Sequence, residues 1–534
     1  METSNESWIE TACQWLQLPE SEIASGRATA EPISQAIVSQ AISSAEPQEV
    51  AQLVDVLIAS FDQLTVVTSR LRLVMQMLAA RVLLSLSEAD DEEQESLRDQ
   101  PLVSPSALTE LYQRLSEVDG QAAAHALQML AAQPDEESID LLAGLLDESP
   151  PEDWKQVALG LSPLWNADSE KLAFFFERLD SDHLHPSTLS ILIDLAGHAT
   201  RSGKLAEHPW HGCQADLASL LSNVCQRLYA LEREPAKFGS DVSEVQRVLN
   251  DSVSLTISLC DALGLVGNEL ESSPALRQAM QLSHRRIQAE AAGALARIGA
   301  DEGRRRLVEL AGDPVARLRA VSYAEELGCA ELIDEDLRLP AALAEAELVS
   351  WLASAEQYGF APQHVELIDT RTQFWPSYEA PRDCYLFRYE YELPTGPVSN
   401  IGIAGPATHA FTVDLSHLPL DDVYAIFAGW QVEHEDIFEI PMTGLNVAQR
   451  READRLIESL AALQLQVEEP VALAFFLGEV ALLAIVESDR GRRCAVTDGF
   501  ETLHLAINSS PTSLTPAIVL ALYRGRKLLR TFNP

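Results

Sequence analysis

The segment Ile287-Gln-Ala-Glu-Ala-Ala-Gly-Ala-Leu-Ala-Arg-Ile-Gly299 has two copies elsewhere in the chain. One is Leu255-Thr-Ile-Ser-Leu-Cys-Asp-Ala-Leu-Gly-Leu-Val-Gly267, and the other is Ala316-Arg-Leu-Arg-Ala-Val-Ser-Tyr-Ala-Glu-Glu-Leu-Gly328. All three have apolar residues at helical spacing and end in an apolar residue followed by glycine. Successive copies start about 30 residues apart, a period that is typical of arrays in which short helices pack on their neighbours.

The residue types of the central copy explain why such a pattern would repeat. Small side chains would let a neighbouring helix approach closely, and they are Ala291, Ala292 and Ala294. Leu295 and Ile298 would fill the seam between helix layers, and Gly299 would take the left-handed conformation that ends a helix. Asp313-Pro314 then predicts the start of the next helix, since proline fits the first helical turn.

Fainter copies extend the pattern towards the N-terminus. Three apolar triplets at positions i, i+4 and i+7 recur with a similar period, and a helix near 215–231 would occupy the next place. The triplets are Ala123, Leu127, Leu130; Val157, Leu161, Leu164; and Leu189, Ile193, Ala196. An irregular helical bundle with accidental spacing is the alternative interpretation.

At these residues the chain resembles the HEAT-repeat superfamily over about residues 120–330, especially the short bacterial repeats also seen in phycobilisome-lyase-like proteins. The resemblance implies a curved right-handed stack of helix pairs, an α-solenoid, whose concave face binds another macromolecule. It implies no catalytic residue, because packing positions define these repeats. A role in pigment attachment, borrowed from the lyase-like relatives, would rest on fold analogy alone.

The predicted fold class is mainly α, with a HEAT-like α-solenoid followed by a smaller α/β or α+β domain. The predicted boundaries are 1–110 for an N-terminal helical capping region, 111–340 for the solenoid, 341–358 for a connecting helix and 359–534 for the C-terminal domain. Residues 71–86 would form an end-capping helix, and the run Asp-Asp-Glu-Glu-Gln-Glu at 90–95 would form an acidic connecting loop. Residues 341–534 carry no family resemblance.

The sequence changes in character after about residue 340, where segments of period two appear. Alternation predicts strands at 384–393, 399–404 and 409–413, with a turn at 394–396 after the first. Helical periodicity predicts helices at 421–438 and 446–465. Residues 480–486 and 492–496 would form a hairpin around Ser488-Asp-Arg-Gly491, and Thr515-Pro516 would begin the last helix.

The charge of the chain limits its partners. It has 81 acidic and 38 basic residues, a net charge of −43 and a pI near 4.5. This field would repel a phosphate backbone and an anionic membrane surface, so neither nucleic acid nor membrane is a predicted partner. It would favour a basic protein partner. Salt adaptation is the alternative explanation of the acidity.

Cysteine usage and hydropathy predict a cytoplasmic protein. The seven cysteines are scattered and never form a Cys-x-x-Cys pair, which is typical of small core residues in a reducing compartment. The N-terminus has no basic region followed by an apolar stretch, so no secretory signal is predicted. The longest apolar run, 471–486, is interrupted by Gly478 and Glu479 and falls short of the roughly 20 residues that a membrane span requires.

Catalytic motifs do not stand out, and no cofactor or metal is predicted. The chain has no nucleotide-binding glycine loop, no Gly-x-Ser-x-Gly and no His-Glu-x-x-His. The nearest approach to a site is Glu433-His-Glu-Asp436, with His409 and His417 nearby in sequence. Trp430 could line a ligand pocket, and the candidate ligand-binding residues are His409, Trp430, His434 and Asp436. A histidine flanked by carboxylates can act as a general base or hold a metal. On the predicted helix 421–438, however, these side chains would fan apart, so a solvated face is favoured.

Two functional hypotheses follow. The leading one is a non-catalytic scaffold or adaptor that binds another protein through the solenoid groove and the C-terminal domain. The alternative is an enzyme or a small-ligand-binding protein with its site around His409, Trp430 and His434. A basic cluster near the C-terminus is predicted to dock on the acidic surface of the protein itself or to cap the C-terminus of the last helix, with a nucleic-acid patch as the alternative. Its members are Arg524, Arg526, Lys527 and Arg530.

Overall fold

The computed structural model describes residues 5–17, 35–63, 68–89, 96–98, 100–151, 153–179, 184–239, 241–354, 357–394, 396–507 and 513–533. The chain divides into two compact units, Met1–Arg306 and Leu307–Pro534. It is mainly helical, and its two antiparallel sheets lie in the C-terminal unit, so the predicted fold class is confirmed at this level. The predicted acidic loop at 90–95 lies outside the described residues.

The N-terminal unit is built from helices. In chain order they are α1 (Asn5–Gln17), α2 (Gln35–Ser43), α3 (Pro47–Ser60), α4 (Thr68–Glu88), α5 (Pro105–Ser116), α6 (Gly120–Ala132), α7 (Glu136–Glu148), α8 (Trp154–Gly160), α9 (Ser169–Arg178), α10 (Pro186–Arg201), α11 (Gln214–Arg233), α12 (Val242–Val266), α13 (Glu269–Ala279) and α14 (Arg285–Arg297). Helix α15 (Asp301–Ala311) spans the division between the units.

These helices contact one another in alternation. The even-numbered helices from α2 to α14 form one row in which each contacts the next. The odd-numbered helices from α3 to α9 form a second row, and α11 contacts α13 in the same way. Neighbours in sequence pack between the rows, as α5 does on α6 and α11 on α12. One continuous hydrophobic core, which extends from Ile9 to Ala300, results from this packing.

The packing predicted for the repeated segment 287–299 is confirmed. Its small residues Ala291, Ala292 and Ala294 are fully buried, as is Leu295. Gly299 has a φ of 96°, so the predicted left-handed end of α14 is confirmed. The earlier copy differs, because α12 already begins at Val242 and Gly267 has a φ of −74°. A Cβ on Gly267 would lie 2.2 Å from the carbonyl oxygen of Leu263, so close packing explains this glycine.

Some of the acidic residues stabilise the N-termini of helices. Aspartate carboxylates accept hydrogen bonds from the first backbone amides of six helices, where they also face the positive end of the helix dipole. These residues are Asp119, Asp135, Asp153, Asp168, Asp241 and Asp313. The last of them confirms the helix start predicted at Asp313-Pro314, which is α16 (Pro314–Glu326) of the C-terminal unit.

Helix α12 is long and apolar enough to cross a membrane, and no other helix in the described ranges is. Of its most apolar 18 residues, 56% are buried within the protein. Leu255, Leu259 and Leu263 belong to the hydrophobic core of the N-terminal unit. The hydropathy of α12 is therefore explained by its packing.

After α16 the C-terminal unit continues with α17 (Pro340–Leu352), which corresponds to the predicted connecting helix but ends before 358, its predicted end. Its strands are β1 (His364–Gln373), β2 (Arg382–Leu393), β3 (Gly396–Ala404), β4 (His409–Ala410), β5 (Ile437–Pro441), β6 (Gln466–Phe476), β7 (Glu479–Ser488), β8 (Gly491–Thr497) and β9 (Thr502–Ala506). Its remaining helices are α18 (Leu420–Gln431), α19 (Val447–Ala462) and α20 (Pro516–Phe532).

Two antiparallel sheets and four helices form the centre of this unit. Sheet A has the strand order β1-β2-β3-β4 and lies between α17 and α18, whereas sheet B has the order β5-β6-β7-β8-β9 and lies between α19 and α20. Helices α18 and α20 cross between the sheets at two glycines, Gly429 and Gly525. A Cβ on Gly525 would lie 1.7 Å from the carbonyl oxygen of Ala425, so the two backbones touch.

The sequence predictions for this unit were partly correct. Strands β2 and β3, the β7–β8 hairpin, α19 and the Thr515 cap of α20 are confirmed. The helix predicted at 421–438 is wrong after residue 431, because α18 ends at Gln431 and β5 begins at Ile437. Strands β1, β5, β6 and β9 were not predicted. The antiparallel sheets make the α+β form of the prediction the correct one.

Candidate binding site

The C-terminal unit contains an apolar cavity of about 410 Å³. Four segments line it: residues 374–378 after β1, the segment after α18, the β6–β7 turn and the end of α20. The cavity side chains outside 374–378 are Val432, Glu433, His434, Ile437, Leu477, Leu528, Leu529 and Phe532. A concave, mostly apolar site of this volume is in the range that binds a small ligand or a large side chain.

Hydrogen bonds from distant residues hold the walls of the cavity. Trp375, which is 3% exposed, donates from Nε1 to Oε1 of Gln431 at 2.5 Å. The hydroxyl of Tyr378 donates to the carbonyl oxygen of Pro406 at 2.9 Å. Asn533 accepts from the backbone amide of Phe374 at 2.6 Å and donates to its carbonyl oxygen at 3.1 Å. The cavity is therefore largely preformed, which lowers the entropic cost of binding.

Three large apolar side chains at the mouth of the cavity are exposed. Phe374, Leu477 and Phe532 are 39%, 48% and 54% exposed. Leu477 and Gly478 form the two-residue turn between β6 and β7, with φ angles of 48° and 86°. Such turns require positive φ at both positions, where glycine and asparagine are preferred. A leucine held in this strained conformation and exposed to solvent suggests a role in binding.

An acidic rim adjoins the mouth. Glu433, Glu435 and Asp436 are exposed, and the Nδ1 atom of His434 accepts a hydrogen bond from the backbone amide of Asp436 at 3.1 Å. Within the part of the chain that the structure describes, Glu433 and Glu435 form no ion pair. The rim is therefore able to attract a cationic group.

The four residues predicted as a site separate into two groups. His434 and Asp436 are near the cavity, in the loop between α18 and β5, and the expected fanning around a helix is wrong because no helix extends there. His409 instead stacks on Trp430, with ring centroids 3.9 Å apart and an interplanar angle of 13°. Burial lowers the pKa of His409 to about 4, so its ring is neutral at physiological pH. Neither His409 nor Trp430 lines the cavity.

The basic cluster of α20 is engaged with acidic residues of the C-terminal unit, which confirms the predicted docking. Arg524 pairs with Glu439, Arg526 with Asp422, Lys527 with Glu479 and Asp498, and Arg530 with Glu501. Because the four cations are neutralised by these carboxylates, a nucleic-acid patch at this helix has no support.

A second cavity, of about 470 Å³, lies in the N-terminal unit and is mostly polar. Its most unusual residue is Lys171, whose Nζ donates to the carbonyl oxygens of Ala131, Ala132 and Gln133 at 2.6–3.1 Å. Burial lowers the pKa of Lys171 to about 8, against the opposing effect of Asp168 and Asp135. The ammonium group satisfies the C-terminal carbonyls of α6, so a structural role explains it.

Sequence reasoning missed most of the cavity, although two local signals were present. The aromatic pair Phe374-Trp375 precedes Pro376, and Gly478 interrupts an apolar run directly after Leu477. No group of three or more His, Cys, Asp or Glu residues within the described ranges is arranged to hold a metal ion. The cavity therefore offers apolar contact and negative charge.

Comparisons with known proteins add little to this description. No protein-family model matches the chain, and no curated protein matches it. A crystal structure of an engineered protein from the Northeast Structural Genomics Consortium is similar at 16% sequence identity, with a TM-score of 0.23. The match covers 65% of this chain and 85% of that one.

Proposed function

We propose that the chain is a non-catalytic adaptor that binds a basic segment of a partner protein, and that the C-terminal cavity receives an apolar side chain of that segment. The observation that carries this proposal is the preformed cavity with exposed Phe374, Leu477 and Phe532 at its mouth and an acidic rim beside it. Complexes commonly bury one large anchor side chain in such a pocket and surround it with polar contacts.

The chemistry of the cavity defines the partner. Burying a Leu, Phe or Met side chain is worth about 1.5–3 kcal/mol, which is sufficient to anchor a segment but too little for tight binding alone. Lys or Arg residues next to the anchor would meet Glu433 and Glu435. Because these carboxylates are exposed, the charge contribution should appear mainly in the association rate and should weaken with salt.

The helix contacts of the N-terminal unit support a HEAT-like α-solenoid as the other part of the adaptor. Alternate helices contact one another in two rows, as expected when short helix pairs stack along one direction. The left-handed glycines at the ends of two repeated segments, Gly299 and Gly328, agree with this interpretation. Such an array would add an extended surface for the same partner or a second one.

The catalytic alternative receives no support from the arrangement of its residues. His409 is stacked among aromatic rings, whereas His434 is in an exposed loop at the cavity. A small apolar ligand is a competing occupant of the cavity on volume alone. The acidic rim and the exposed apolar mouth favour a protein segment, because a buried small ligand requires neither.

A displayed library of random dodecapeptides selected against the full chain would test this proposal. We expect enriched peptides with one large apolar residue next to Lys or Arg, and we expect their affinity to fall about tenfold with Leu477→Asp, since aspartate tolerates positive φ. Leu463→Asp is the matched control, because Leu463 is 56% exposed and does not line the cavity. Enriched peptides without an apolar anchor, or equal loss in both variants, would overturn the proposal.

A further inference from the structure

The C-terminal unit contains the same series of elements twice. The first half runs α17, β1, β2, β3, β4, α18, and the second runs α19, β6, β7, β8, β9, α20. In each half the sheet lies between its first and last helix, and the last helices cross at equivalent glycines, Gly429 and Gly525. Strand β1 is therefore the structural equivalent of β6.

The strand register shows which residues of β1 and β6 are equivalent. Strand β1 has a bulge between Leu367 and Asp369, after which residues 369–373 pair with residues 386–382 of β2. The last irregularity of β6 lies between Pro470 and Ala472, after which residues 472–476 pair with residues 483–479 of β7. Both uninterrupted segments have the same length and end at the connection to the next strand. Residues 369–373 of β1 are thus equivalent to residues 472–476 of β6.

The two halves differ at the outer edge of these segments. Strand β5 pairs antiparallel with residues 472–476 along their full length, from Ile437 opposite Phe476 to Pro441 opposite Ala472. In the first half, no strand in the described residues pairs with the outer edge of β1. Thr370 and Thr372 are exposed. Residues 369–373 contain neither lysine nor proline, two of the devices that block an edge, and the bulge of β1 lies before this segment.

We propose that the outer edge of residues 369–373 binds an extended basic segment of a partner protein, which adds a strand to sheet A as β5 does to sheet B. This mode goes beyond the proposed cavity, because main-chain hydrogen bonds of a different segment would provide the binding. The closest internal model is β5, whose antiparallel direction and length define the expected geometry.

Side chains around the edge determine what the added strand should contain. The equivalent of Phe475, which stacks on Phe438 of β5 at 4.7 Å, is Thr372 in β1. A polar or β-branched cross-strand neighbour therefore fits better there than an aromatic one.

Charge selects a basic strand over a second copy of this chain. Arg371 is neutralised by Asp369 and Asp421 at 2.9 and 2.7 Å, and Asp383 accepts a hydrogen bond from Thr372. Arg382 lies over the ring of Tyr378, 4.7 Å from its centroid. Three aspartates face two arginines here, and the whole chain carries −43, so net charge disfavours pairing β1 with β1 of another molecule and favours a basic strand.

The test uses the full chain and a library of acetylated heptapeptides in which Lys or Arg alternates with Thr, Val or Ile. Hydrogen–deuterium exchange should show slower exchange of backbone amides in residues 369–373 with at least one peptide. N-methylation of alternate residues of that peptide on one edge should weaken binding at least tenfold, because it removes main-chain donors and keeps the side chains and charge. Methylation on the opposite edge should not.

Each other outcome overturns the proposal. Failure of every peptide to protect residues 369–373, or equal binding of both methylated forms, would show that main-chain pairing is absent. Protection of β1 without peptide, together with a dimer in sedimentation, would identify a second copy as the occupant. Leu477→Asp should leave this binding within twofold, so the edge site and the cavity can fail separately.

Discussion

The two halves of the C-terminal unit share the same order of helices and strands. They differ in the interactions that stabilise the last strand and last helix of each half. At the first, Trp430 of α18 stacks on His409 and contacts Phe411, and β4 is only two residues long. At the second, Lys527 of α20 forms ion pairs with the sheet, and β9 has five residues. The common features are the sheet faces and the glycine crossing, so changes there should cost more than changes at either end.

The largest effect should come from Gly525→Ala. Helix propensity alone predicts that alanine raises the free energy of unfolding by about 1 kcal/mol. The new Cβ, however, would overlap the carbonyl oxygen of Ala425 and force α18 and α20 apart. We expect a net loss of about 3 kcal/mol in the free energy of unfolding, measured by urea denaturation. In Gly444→Ala the nearest atom, Cγ2 of Ile440, is 3.4 Å away, and the change should stay below about 0.5 kcal/mol. A stabilised Gly525→Ala protein would contradict the close crossing.

The next largest loss of stability should come from the substitution of Asn400, which lies in β3 of the first half. Its side chain donates to the carbonyl oxygens of Phe411 and Val413 and accepts from the amides of Ile401 and Leu415, all within 3.1 Å. These hydrogen bonds hold the chain after β4, which has only two residues. The equivalent strand of the second half, β9, has five residues paired in its sheet. Asn400→Ala would leave buried polar groups unpaired, so we expect a loss of about 2–3 kcal/mol and faster amide exchange at 411–415.

A matched change outside this region checks that interpretation. Asn250 is an exposed residue of α12 whose side chain accepts one hydrogen bond from Gln246. Asn250→Ala should change the free energy of unfolding by less than about 0.5 kcal/mol. If the Asn400 and Asn250 substitutions cost the same, the buried hydrogen bonds at β4 do not hold the first half together.

The sequence could predict the parts of this fold that local physics determines. Helix ends in the repeats followed from glycine and Asp-Pro signals. Strand β2 followed from its alternation, because Tyr389 and Tyr391 are buried, whereas Glu390 and Glu392 are exposed. Strand β1 was missed because it is an edge strand with a bulge and weak alternation. The end of α18 was missed because residues 432–436 continue its polar pattern, and the bonds of Gln431 with Trp375 and Pro406 join segments far apart in sequence.

The candidate site was harder to predict than the fold for the same reason. Its walls come from four segments that the fold brings together, and single residues such as Phe532 carry no local sign of a cavity. The internal duplication did leave a signal, since Val423-Tyr-Ala-Ile-Phe-Ala-Gly429 resembles Val519-Leu-Ala-Leu-Tyr-Arg-Gly525. A comparison of the chain with itself beyond the helical repeats would have revealed it.

An intermediate effect should come from Asp498 of the second half. Burial would raise the pKa of Asp498, but hydrogen bonds from Lys527 and from the amides of Glu501 and Phe500 outweigh it and hold that pKa well below its usual range. Asp498→Asn should cost about 2 kcal/mol at pH 7, because Lys527 is only 12% exposed and would lose a carboxylate.

The dependence on pH gives a second measurement at Asp498. A depressed carboxyl pKa contributes stability above the unfolded value of about 3.9, and this contribution is lost as pH falls below it. The difference between the parent and Asp498→Asn should therefore shrink below about pH 4 in urea denaturation. Arg530→Ala removes an exposed pair with Glu501 and should cost less than about 0.5 kcal/mol. A difference that persists unchanged at about pH 2.5 would contradict the ion pair.

The smallest expected loss of stability comes from His409 of the first half and appears on acidification. The pKa of His409 is lowered by burial to about 4, so between about pH 6.5 and 4 the unfolded chain binds a proton that the folded one does not. The first half should lose about 1 kcal/mol at about pH 5.5, before Asp498 begins to titrate. In urea denaturation, His409→Phe should reduce this loss of stability by about 1 kcal/mol. Phe411→Leu should instead lower stability at every pH and leave the acid-dependent loss unchanged. If His409→Phe lost as much stability as the parent between about pH 7 and 5.5, the stacked His409 would not make this contribution.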